Sequence, residues 1–188
     1  MAASEAAILD RDTEHVLSTE LRNRALRIAL AEAPLPLEPG NIRWGPVEKY
    51  QRIIGLEPPH DYCVGFLYWC YEQAKEQLNK EKQKLVFKNP LPRQGQVSGL
   101  YDDARQPPKH IVTDAPQPGD IYLRSPGRDN GHAAFIWKVR DARNSIFDTV
   151  EGNTAVCWPA GTNCHGNYTH GVFTRTEQNL SGCIFVRY

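Results

Sequence analysis

The sequence contains no long apolar run: nothing approaches the ~18 consecutive apolar residues that a membrane-spanning helix needs. It has no excess of either charge, with 22 basic and 22 acidic residues. That balance argues against a basic nucleic-acid binder and against an acidic solvating tail. It has no internal repeat and no low-complexity tract. The start, MAASEAAILDRDTEH, offers an apolar stretch of only four residues, Ala6 to Leu9, with acids on both sides. A secretory signal needs a basic start and an apolar core of about 7–15 residues. The expectation is a protein made in the cytoplasm, reaching any site outside by another route, with neither a membrane nor a nucleic acid as partner.

What is present is the composition of an ordinary globular chain: 188 residues, 23% charged and 40% hydrophobic. That suits one domain with its own core, plus a helical extension. Five cysteines, at 63, 70, 157, 164 and 183, leave at least one unpaired. Cys63 and Cys70 lie seven apart in a helical pattern, about 10 Å along its axis. That is too far for a disulfide, whose Cα atoms lie within roughly 7 Å. A Cys157–Cys164 bridge closing a short loop is feasible in an oxidising compartment; reduced buried thiols are the alternative.

Apolar spacing predicts an amphipathic helix over 13–33, with Leu17, Leu21, Ala25 and Ile28 as its stripe. It is ended by Pro34, Pro36, Pro39 and Gly40. A second, short helix is expected over 44–54. The strongest helical signal runs over 62–84, where Val64, Leu67, Tyr68, Tyr71, Ala74 and Leu78 recur at three- and four-residue steps. Residues 88–118 hold six prolines and read as a long loop. From Gly119 the texture changes to short β-rich runs at 121–124, 132–139, 145–150, 171–176 and 183–188, separated by turn residues. Helices first and antiparallel strands afterwards give an α+β class.

Two residues in this layout carry chemistry. Cys63 falls where the loop Pro58-Pro59-His60-Asp61 enters the buried helix. The positive end of a helix dipole there favours a thiolate. His132 opens a strand after the turn Asn130-Gly131, with His132, Ala134 and Ile136 on one face of it. A cysteine at a helix start beside a histidine on a strand is a thiolate–imidazole pair. The next strand ends in Val150-Glu151-Gly152-Asn153, where Glu151 and Asn153 share parity. Either can accept the second imidazole N–H and fix the ring's tautomer. Buried packing for Cys63, a turn position for His132 and a plain turn at 151–153 are the bland alternatives for each residue taken alone.

Together these segments resemble a known family. Asp61-Tyr-Cys-Val-Gly-Phe-Leu-Tyr-Trp-Cys-Tyr, Pro118-Gly-Asp-Ile-Tyr, Gly131-His-Ala-Ala-Phe-Ile and Val150-Glu-Gly-Asn-Thr follow the order and approximate spacing of CHAP domains. These are cysteine, histidine-dependent amidohydrolases and peptidases, within the group that includes the NlpC/P60 enzymes. The resemblance covers about residues 25–188, leaving 1–24 as an N-terminal helical extension. It implies a papain-like, NlpC/P60-type fold, the nucleophile helix packed on an antiparallel sheet. It implies Cys63 as nucleophile, His132 as general base, Glu151 and Asn153 completing the site, and the Cys63 backbone N–H in an oxyanion hole. It implies cleavage of an amide bond in bacterial peptidoglycan, without cofactor or metal. The chain departs from the pattern at Tyr62, where the family commonly has Trp, and in the roughly thirty-residue insertion after the helix.

Asp61 and Tyr62, beside the nucleophile, and Trp158, able to stack on a sugar ring, are the candidate substrate contacts; helix capping and loop packing are their plainer readings. Cys157-x6-Cys164-His165-x4-His170 has poor spacing for zinc. A wall hydrolase without a signal or a second binding module points to an injected antibacterial effector, such as one delivered by type VI secretion, or to a phage lysis enzyme. An effector implies a cognate immunity protein. A non-catalytic wall-binding module and an amidase for small γ-glutamyl or polyamine conjugates stand as alternatives.

Overall fold

The computed structural model describes residues 11–38, 40–83, 85–112, 114–127, 131–157 and 168–188. Helix α1 spans Arg11–Glu32. It runs unbroken past residues 24 and 25, and Leu21, Ala25, Leu26 and Ala29 are buried on its inner face. A short 3₁₀ turn, Gly45–Val47, leads into α2, Glu48–Arg52. Helix α3, Cys63–Glu81, is the central element. Its Val64, Phe66, Leu67, Cys70, Tyr71, Ala74 and Leu78 are all buried. The charged second half emerges into solvent, where Arg24 of α1 makes a two-pronged bond to Glu81 at 2.7 and 2.9 Å.

Among the described residues, six strands form one antiparallel sheet in the order β1-β5-β4-β3-β2-β6. They are β1 Leu35–Pro36, β2 Ile121–Arg124, β3 His132–Asp141, β4 Ile146–Val156, β5 Thr169–Asn179 and β6 Ile184–Val186. β2 to β5 form the expected meander, and β6 returns to pair with β2. Alternation splits the sheet into two faces. Ala133, Phe135, Val150, Val172 and Val186 pack under α3 in the main core. Tyr122, Ala134, Ile136, Phe147 and Leu180 form a second, smaller core on the other face. The fold is thus α+β and consistent with the papain-like, NlpC/P60 type.

Two elements depart from the sequence reading. The stretch 88–118 is not one loop: it contains helix α4, Val97–Arg105. Val97, Leu100 and Ala104 recur at helical spacing and are buried, and the prolines flank the helix rather than interrupt it. The two-residue strand β1 lies among the prolines read as a helix stop. It pairs at the sheet edge, where a proline costs no ladder bond.

Two glycines set how closely α3 is held. A Cβ on Gly65 would lie 2.1 Å from the Tyr50 carbonyl oxygen, so only glycine lets α2 cross there. A Cβ on Gly152 would lie 2.6 Å from the Phe66 Cβ. Phe66 is three residues past Cys63, and Gly152 lies between Glu151 and Asn153. This contact fixes the nucleophile's helix against the strand that completes the site.

Candidate active site

Cys63 is the first residue of α3, and among the described residues no side chain caps that end. The first intrahelical bond runs from the Phe66 N–H to the Tyr62 carbonyl at 2.7 Å. The N–H groups of the first turn therefore have no partner in the helix, and Cys63 contributes one of them. The thiol is nearly buried and lies beside the His132 side chain, with which it couples electrostatically.

His132 begins β3, opposite Arg124 of β2. Its Nε2 meets Glu151 Oε2 at 3.1 Å, so Nδ1 takes no part in that bond. Burial opposes the imidazolium. Hydrogen bonds and charge from Cys63 and Glu151 outweigh it and push the histidine up to about 10.

Glu151 sits on β4 and is almost fully buried. Its Oε1 accepts from the Tyr122 hydroxyl at 3.0 Å and the Thr149 hydroxyl at 2.5 Å. The Arg175 guanidinium lies 3.6 Å from Oε2. Burial alone would raise this carboxyl. The bond and charge of His132, the Thr149 hydroxyl and the charge of Arg175 reverse that and bring it down to about 2. Cys63, His132 and Glu151 thus form a connected line of thiol, imidazole and ionised carboxylate.

Of the two candidates for the third position, Glu151 makes the contact and Asn153 does not. The register of β4 on β5 shifts between Gly152 and Thr154, and Asn153 adopts a left-handed backbone at φ 56°. The bulge breaks the parity that the two residues share in sequence. The Asn153 amide instead donates to Asp61 Oδ1 at 2.9 Å. Asp61 also receives Arg43 Nε and Nη2, at 3.0 and 2.8 Å, on the same oxygen. Burial works against its charge, but the Arg43 and Asn153 bonds hold it below the ordinary carboxylate range. Asp61 does not cap the helix.

Tyr62 is placed differently from a substrate contact: its side chain is wholly buried and stacks on Tyr50 with ring centroids 5.7 Å apart. Trp158, Cys164 and His165 lie outside the described residues. Cys157 is disulfide-bonded, whereas Cys63, Cys70 and Cys183 are free. No helix among the described residues is long and apolar enough to cross a membrane.

An open groove of about 750 Å³ reaches Cys63. Ile54, Leu56, His60 and Asp61 line it on the side leading into α3, and residues 94–98 at the start of α4 line it on another. The insertion therefore forms part of the groove wall. Gly131 lets α4 close in: a Cβ there would lie 3.0 Å from the Val97 Cβ.

Four residues around the site went unsingled in the sequence. Thr149 was the most accessible, two residues before Glu151 and so on the same strand face. Tyr122, Arg175 and Arg43 come from other elements, and only the pairing of strands and loops brings them near. Arg175, for instance, is the cross-strand partner of Thr149.

The family model of the CHAP domain matches residues 56–153, just over half of the chain and all of Cys63, His132 and Glu151. No curated protein and no solved structure matches it. The match and the joined cysteine, histidine and glutamate lead to one conclusion: the chain belongs to the CHAP domain family, a family of cysteine, histidine-dependent amidohydrolases and peptidases.

Proposed function

We propose that the protein hydrolyses an amide bond of bacterial peptidoglycan, at the muramoyl–L-alanine amide or within the stem or cross-link. The observation that carries this reading is the Cys63–His132–Glu151 line opening onto a groove rather than into a closed pocket. An open groove suits a polymer better than a small free amide.

The chemistry is acyl transfer. The Cys63 thiolate adds to the amide carbon, and the oxygen that gains charge lies near the Cys63 N–H, which has no partner within the helix. The tetrahedral intermediate collapses as His132 gives a proton to the leaving amine, so the C–N bond breaks and a thioester remains. His132 then takes a proton from water, the hydroxide adds to the thioester, and the thiolate leaves. Glu151 keeps the imidazole in one orientation and stabilises its cation in both steps.

An injected effector with a cognate immunity protein, or a phage lysis enzyme, is the biological setting that fits a wall hydrolase of this kind; its place of work is then the periplasm or wall. The test is digestion of purified Gram-negative sacculi, read by mass spectrometry. Fragments with masses of one cleaved amide class support the reading and name the bond. Intact sacculi, with turnover of a γ-glutamyl or polyamine amide instead, refute it.

A further inference from the structure

Among the described residues that line the groove, Asp61 is the only carboxylate, and no lysine or arginine joins it. Its two oxygens are not equivalent. Arg43 Nε, Arg43 Nη2 and Asn153 Nδ2 all bond Oδ1, at 3.0, 2.8 and 2.9 Å. Oδ2 receives no donor among the described residues, and the side chain is 63% exposed. The carboxylate is therefore oriented from one side and open on the other. Asp61 lies two positions before Cys63, with Tyr62 between them, so their Cα atoms lie within about 7 Å. Whatever meets Oδ2 sits about one residue from the bond under attack.

We propose that Asp61 is a specificity-determining residue whose Oδ2 receives an ammonium group carried by the substrate beside the scissile amide. This rests on the amide-hydrolase reading above and narrows its substrate class. The preferred amides have a free primary amine on a neighbouring residue, an unblocked peptide amino terminus or the side chain of a diamino acid. Arg43 already compensates the carboxylate's charge through the other oxygen. Recognition is then a short-range, charge-assisted hydrogen bond rather than long-range steering. Bonds of that kind are worth about one to two powers of ten in binding or rate.

The test uses charged probes on the intact protein. Wild type and Asp61→Asn are treated with methanethiosulfonates carrying an aminoethyl or a sulfonatoethyl group, and labelling at Cys63 is read by peptide mapping. In each case the Cys63 sulfur displaces methanesulfinate and forms a mixed disulfide. Asn keeps an oxygen for Arg43 and Asn153, so the loop retains its bonds. The expected result is a cation-to-anion rate ratio about tenfold lower in Asp61→Asn. An equal ratio in both proteins overturns the proposal and leaves Asp61 as a loop anchor. A second comparison needs no variant: sacculi with acetylated amines should be cut about tenfold more slowly by wild type than native sacculi, and equal rates count against the proposal. If wild type leaves all sacculi intact, the peptidoglycan reading fails while the labelling ratio still decides the role of Asp61.

Discussion

Replacing Glu151 with Gln separates the two candidates for the third site residue and has a magnitude that the geometry sets. The substitution keeps size and keeps one acceptor oxygen for the Tyr122 and Thr149 hydroxyls, at 3.0 and 2.5 Å. The amide group then faces His132 Nε2, where a carboxylate oxygen stood at 3.1 Å. Two donors meet, and the imidazolium loses a charge-assisted bond worth about 1.5–3 kcal/mol. At about 1.4 kcal/mol per power of ten, kcat should fall roughly 10- to 100-fold with KM nearly unchanged. The pH profile moves too. Glu151 is among the causes that raise His132 to about 10, so removing its charge lowers the histidine's pKa. The alkaline limb of kcat/KM should shift to lower pH. Asn153→Ala, which touches Asp61 and not the imidazole, should leave that limb in place. The assay is release of soluble fragments from dye-labelled sacculi between pH 5 and pH 11. Full kcat and an unmoved alkaline limb in Glu151→Gln would show that the carboxylate does not act on His132.

Further outcomes follow from the same geometry. Gly152→Ala places a Cβ 2.6 Å from the Phe66 Cβ, and overpacking of this kind costs about 1–3 kcal/mol; differential scanning calorimetry should show a lower Tm. Tyr122→Phe removes one bond to Glu151 and should cost about 1 kcal/mol of stability with a severalfold loss of kcat, read by urea melts and turnover. Glu151 is lowered from 4.5 to about 2 on folding, so its stabilising contribution is complete above about 4.5 and lost as pH falls toward 2; the stability advantage of wild type over Glu151→Gln should shrink over that window in pH-dependent melts. Alkylation of unfolded, unreduced protein should label Cys63, Cys70 and Cys183, and Cys157 only after reduction, as intact mass and peptide mapping will report.

Much of the site was legible because its chemistry follows local rules. Cys63 announced itself at a loop-to-helix junction, and His132 at the opening of an alternating strand. Glu151 stood out with Asn153, but strand parity could not choose between them. The choice depends on a bulge and on φ at Asn153, neither of which apolar spacing encodes. Tyr62 illustrates the opposite limit. Proximity to the nucleophile suggested substrate contact, but the fold turns the ring inward onto Tyr50. Helix α4 was masked because the prolines around it dominate the composition of 88–118, although Val97, Leu100 and Ala104 kept helical spacing. Tyr122, Arg175 and Arg43 were out of reach because their neighbours come from distant parts of the chain.

Amide cleavage is expected to run through the Cys63 thiol, and the decisive variant replaces it. Cys63→Ala trades a nearly buried thiol for a methyl group at a helix start and should fold, which circular dichroism can check. Wild type and Cys63→Ala are incubated with the same sacculi, and new amino groups and fragment masses are followed over time. Release is expected from wild type and not from Cys63→Ala. Release at the wild-type rate by the alanine variant would contradict it.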